Sequence, residues 1–166
     1  MRVDNKQTLI DYVNNKNGGN SRENDQITKF TVFSHGWKGT MSLGYNYNDK
    51  TNNTKLDFNI SDITELHESA FDNPDSWFGS CNLGTGGDAS FGQAWVNRVG
   101  GTAWAFKGKT NYEYIVKPKG YNKFLPWFWD DRSKINKGRK DYGFILTGSF
   151  LYPTAASGAK EVEFTR

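Results

Sequence analysis

The stretch FTVFSHGWKG, residues 30–39, runs a series of β-branched and aromatic residues directly into a histidine and a glycine. Ile27 to Ser34 has strand composition, apolar at Phe30, Val32 and Phe33. His35 then stands at a strand end. A histidine there is either a core ring with a structural partner or a base held at the rim of a sheet, where open parallel sheets gather their sites.

Working outward toward the N-terminus, Asp4 or Asn5 is placed to cap a helix with Leu9, Ile10 and Val13 on one face, stopping at Asn17-Gly18-Gly19. Toward the C-terminus, residues 40–45 read as a short strand and 46–55 as a polar loop. Residues 61–71 place Ile63, Leu66 and Ala70 at helical spacing, with Asp62 and Glu65 in capping-box relation. Asn73-Pro74-Asp75 is expected to break that helix, and SWFGS, residues 76–80, to form a strand ending at Cys81 and a glycine-rich turn over 82–87. A further helix starts near Ser90, carries Phe91, Ala94, Trp95 and Val99 on one face, and stops at Gly100-Gly101. Residues 102–106 read as a strand. Strands alternating with helices predict crossover units and a mostly parallel sheet.

From Thr110 the pattern changes to short aromatic runs, the loop YNKFLPWFWDD over 121–131, and a strand around 142–151. These residues are expected to build a hairpin or flap on the sheet's edge. The 166 residues fit a single domain, with a core over 27–106 and a flap with an edge strand over 107–166. Opening on a helix rather than a strand suggests a piece of a longer chain.

Composition narrows the chemistry. With 6 Trp, 8 Tyr and 12 Phe, much of the apolar area is aromatic. The single cysteine, Cys81, leaves no internal disulfide and no multi-cysteine zinc site, and no metal or cofactor is expected. No run of about 18 apolar residues predicts a membrane span, and the first 20 residues lack the apolar core of a secretory signal. The compartment stays open, leaning to the cytoplasm. The net charge of +3 is uneven: residues 107–140 carry ten Lys/Arg against three acids, a local balance of +7. Such a segment is a solvated face or a site for an anionic partner.

His35 and Cys81 close two predicted strands, with glycine at once or within three residues. Neighbouring strands lie about 4.8 Å apart, so groups just past the ends of two adjacent parallel strands come within reach of each other. An ordinary thiol is mostly protonated at neutral pH, and an imidazole beside it takes the proton or stabilises the thiolate. The backbone N–H groups of Gly36 and Cys81 would face the same space and receive a developing oxyanion.

Phe33-Ser34-His35-Gly36, Lys38-Gly39 with a short strand, a helix, and a strand running into Ser80-Cys81-Asn82 resemble the His-Gly and Cys elements of the caspase-like cysteine peptidases. That group includes caspases, clostripain, gingipains, CHAT-domain proteases and the self-cleaving domains of large bacterial toxins. The likeness covers about 27–106, and the 46 residues from His35 to Cys81 are similar to the caspase spacing of about 50. It implies an α/β fold of three layers with a mostly parallel sheet between helices, His35 as general base, Cys81 as nucleophile, and Gly36 with Cys81 as oxyanion donors. A polypeptide would be the substrate. The thiol's surroundings, Gly79-Ser80-Cys81-Asn82-Leu83, depart from the caspase Gln-Ala-Cys-x-Gly, with Gly84 one place late. In toxin-type members a basic flap binds an anionic activator, which assigns that role to Lys117, Lys119, Lys123, Lys137, Arg139 and Lys140.

The competing class is a non-catalytic module whose basic aromatic arm, with Tyr121, Phe124, Trp127, Phe128 and Trp129, takes an anionic partner, a nucleic acid or a carbohydrate. The same aromatics equally suit a local core, and nucleic acid is the less favoured partner. His67 lies between Glu65 and Glu68 and reads as part of a solvated polar face. Gly108-Lys109-Thr110 is not a phosphate loop, since position 103 is alanine, and no Gly-x-Ser-x-Gly elbow is present.

Overall fold

The computed structural model describes residues 3, 5–16, 21–43, 53–111, 116–118, 149–151, 154–155 and 159–166. The first helix, α1 (Lys6–Asn15), starts where Asn5 accepts a hydrogen bond from the Thr8 N–H at 2.9 Å. It buries Ile10 and Val13. Arg22, itself buried, donates from Nε to the Val13 carbonyl, one of the acceptors that a helix C-terminus leaves open, and from Nη2 to the Tyr12 carbonyl, which also accepts from the Lys16 N–H.

Strands β1 (Ile27–Val32), β5 (Phe71–Phe78), β6 (Thr102–Lys107) and β11 (Lys160–Thr165) form a four-stranded sheet in the order β1-β5-β6-β11. The first two pairings are parallel and the last antiparallel, so the fold is mixed α/β with a mostly parallel sheet flanked by helices. Between β1 and β5 the chain makes β2 (His35–Trp37), β3 (Thr40–Ser42) and β4 (Asp57–Asn59), an antiparallel three-stranded sheet. A single helical turn follows, α2 (Ile60–Ile63). The third helix, α3 (Phe91–Val99), lies between β5 and β6, with the Ser90 hydroxyl accepting from the Gln93 N–H at 3.1 Å and Gly100 as C-cap.

Register explains which face is core. Phe30, Ser76, Ala103 and Phe164 align across the sheet, as do Val32, Phe78, Ala105 and Val162. These rows meet Phe91, Trp95, Val96 and Val99 of α3 in one hydrophobic cluster. Trp95 is its hub: it contacts the rings of Phe30, Phe71 and Phe78, and its indole N–H donates to the buried Ser76 hydroxyl at 2.9 Å. The opposite sheet face carries Thr31, Trp77, Trp104 and Glu163 in one row, and Phe106 with Glu161 in the next.

Several expectations need correction. The first strand stops at Val32, and His35 opens β2 instead of closing β1. The helix expected over 61–71 is α2 followed by a 3₁₀ turn at Glu68–Ala70, and the Asp62 carboxylate caps backward, accepting from the Asn59 N–H at 2.7 Å, instead of pairing with Glu65. Asn73-Pro74-Asp75 lies inside β5 and does not separate two elements. The reason is a bulge: Ile27 pairs with Phe71 but Lys29 with Asp75, so β5 inserts residues where the ladder is interrupted and a proline is tolerated. Asn73 there has φ 45°.

The last strand of the sheet is β11, which the sequence reading did not assign. Of the strand expected over 142–151, residues 149–151 form β9 (Ser149–Leu151), antiparallel to β8 (Val116–Pro118), while β7 (Thr110–Asn111) pairs with β10 (Thr154–Ala155). Residues 142–148 lie outside the described residues. No described helix is long and apolar enough to cross a membrane.

Candidate active site

The offset between β1 and β5 is 46 positions from Lys29↔Asp75 through Val32↔Phe78. His35 and Cys81 are separated by the same 46. Each therefore stands three residues past the last register pair of two adjacent parallel strands.

Three contacts hold the two strand ends together. The Gly79 N–H donates to the Val32 carbonyl at 2.9 Å, extending the ladder by one step. The Ser34 and Ser80 hydroxyls, again 46 apart, lie 2.7 Å from each other, with Ser80 fully buried. At position 36 a β-carbon would stand 2.6 Å from the Cys81 carbonyl oxygen, 2.9 Å from the Ser80 β-carbon and 3.3 Å from the Cys81 nitrogen. Glycine is required by that approach, and the backbone of Gly36 packs directly on Cys81.

His35 is exposed and Cys81 partly buried. Among the described residues, the sulfur's hydrogen-bond partners belong to Thr110. The Thr110 N–H donates to Sγ at 3.3 Å, its Oγ1 lies 3.4 Å from Sγ, and its carbonyl oxygen lies 3.6 Å away. The same hydroxyl donates to the Gly79 carbonyl at 3.3 Å. Thr110 opens β7, so the thiol is positioned by the root of the C-terminal strands. No spacing rule marks a threonine 29 residues downstream as its partner. The serines were legible, since each directly precedes a candidate residue.

Beyond the thiol the chain turns sharply. Asn82 has φ 60°, the left-handed region that asparagine tolerates better than most side chains. Its N–H donates to the Gly108 carbonyl, and the Gly84 N–H to the Phe106 carbonyl, both at 2.9 Å. This ties the turn after Cys81 to the end of β6. Asn82 thereby sends the chain away from the rim and leaves Cys81 at its corner.

Of the expected anion-binding residues, Lys117 lies in β8, and Lys119, Lys123, Lys137, Arg139 and Lys140 lie outside the described residues. So does the aromatic run 121–131. His67 sits in the exposed connection after α2, not on a helix, and its backbone N–H donates to Asn14 Oδ1 at 2.8 Å. Among the described residues no cluster of His, Cys, Asp and Glu is arranged to hold a metal ion. No protein family, curated protein or solved structure matches the chain.

Proposed function

We propose that the chain is a cysteine peptidase of caspase-like type, hydrolysing peptide bonds with Cys81 as nucleophile and His35 as general base. The observation that carries this reading is the packing of Gly36 on Cys81, which puts the only thiol of the chain beside the residue next to His35. In the reaction, Sγ attacks the scissile carbonyl carbon while its proton passes to the imidazole, and the imidazole returns that proton to the leaving amine. Water, deprotonated by the same ring, then attacks the acyl-thioester and frees the second product.

The amides of Gly36 and Cys81 are the oxyanion donors in this reading, supported by an approach so close that a β-carbon at position 36 would stand 3.3 Å from the Cys81 nitrogen. Thr110 holds the sulfur with an N–H that a thiolate accepts more strongly than a thiol does. Incubation with a denatured substrate protein tests the reading. Chain cleavage by the parent, lost in both Cys81→Ala and His35→Ala, supports it. Cleavage that persists in Cys81→Ala, or none from the parent, rejects it.

A further inference from the structure

Among the described residues, the exposed large hydrophobic side chains are Phe33 and Trp37, at 43% and 46% of their surfaces. Exposed apolar residues scattered over a surface need no explanation, but these stand two residues before and two residues after His35.

The Phe33 ring is held in place. It lies against Trp77, with centroids 5.3 Å apart. Both cover Gly79, where a β-carbon would meet Trp77 Cζ3 at 2.6 Å and Phe33 Cδ1 at 3.2 Å. Trp77 is anchored in turn, donating its indole N–H to Glu161 Oε1 at 2.7 Å and meeting Phe106 edge-on at 5.9 Å. Phe33 thus rests on a fixed aromatic base whose backbone leads, four residues on, to Cys81. Trp37 shares a side of β2 with His35 by strand alternation, and follows the glycine that packs on Cys81. An aromatic wall that is already ordered, as Phe33 is, binds apolar groups at low entropic cost.

We infer that Phe33 and Trp37 form a binding surface for apolar side chains of an extended polypeptide, one on each side of His35 in the chain. The inference rests on the His35–Cys81 reading and adds the substrate class: segments with aromatic or aliphatic residues close to the scissile bond. The occupant is a substrate chain because the two residues flank the proposed base in the chain, and the glycine between His35 and Trp37 packs on Cys81, so a group presented to the thiol approaches the segment that carries them.

Cys81 is the single thiol, so alkylation reads one site. The full chain is labelled with N-benzyl iodoacetamide and with iodoacetamide, the latter serving as reference in every variant. The benzyl reagent should react faster by roughly tenfold, the scale expected for burying one aromatic ring in part. That ratio should fall toward one in Phe33→Ala and in Trp37→Ala. Equal rates in the parent, a ratio that survives both substitutions, or no labelling of the folded chain by either reagent overturns the inference. A high ratio lost in the variants, together with no cleavage of denatured protein, keeps the apolar surface and rejects the peptidase. Cleavage at sites without neighbouring apolar residues keeps the peptidase and rejects the surface.

Discussion

Gly36 constrains the site more tightly than either side chain of the proposed pair. A methyl group there would stand 2.6 Å from the Cys81 carbonyl oxygen, a backbone atom that moves only with its strand end. Gly36→Ala is therefore expected to push the His35 and Cys81 segments apart. Peptide cleavage should drop by about 10² in kcat/KM, the scale of an ångström's misplacement of reacting groups. Stability should fall by about 1–3 kcal/mol, as for overpacking elsewhere in a protein. Kinetics with a denatured substrate and a urea midpoint check both. The parallel pairing of the strands that precede His35 and Cys81 was legible in their composition, although β1 stops at Val32 and β5 at Phe78. Thr110 was not, because its contact with the sulfur depends on where the chain returns after β6, and nothing local encodes that return.

Elements are legible in the sequence where local chemistry and tertiary packing agree. The Asn5 cap, one of the two residues expected there, the helix start near Ser90, the Gly100 stop and the strand over 102–106 each follow from side chains within one turn or one pleat. Reading failed at β5, where Asn73-Pro74-Asp75 looked like a break and is instead a bulge in a central strand. What makes the bulge possible lies 27 residues away. Gly101, at φ +69°, passes so close that a β-carbon would be 2.1 Å from the Pro74 carbonyl oxygen. Gly101→Ala should destabilise the protein by at least about 2 kcal/mol, since left-handed strain of about 1–3 kcal/mol adds to the clash. The same change at Gly100, where a β-carbon meets nothing within 4 Å, should cost only the conformational part. A denaturant comparison of the two variants separates clash from strain.

Across the whole molecule, the described core depends on a strand that the sequence reading did not assign. The signal was present: KEVEFT alternates charged residues with Val162 and Phe164, the period of a half-buried strand. It was obscured because β11 adds antiparallel to a sheet whose other pairings are parallel, after a long excursion from β6. Phe164 is buried at 6% exposure against Gly92 of α3, where a β-carbon would strike its ring at 2.5 Å. Phe164→Ala should cost about 3–5 kcal/mol, read from chemical denaturation. β11 also carries Glu161, the acceptor for the Trp77 indole beneath Phe33.

The claim that His35 serves Cys81 is tested most directly by the pH dependence of the thiol's reactivity. An ordinary thiol is less than about one per cent ionised near pH 6 and alkylates slowly there. The account predicts that iodoacetamide labels Cys81 in the folded chain near pH 6, and that His35→Ala abolishes this low-pH labelling while leaving the fold intact. Labelling that rises only toward pH 8.5, or that is the same with and without His35, would contradict it.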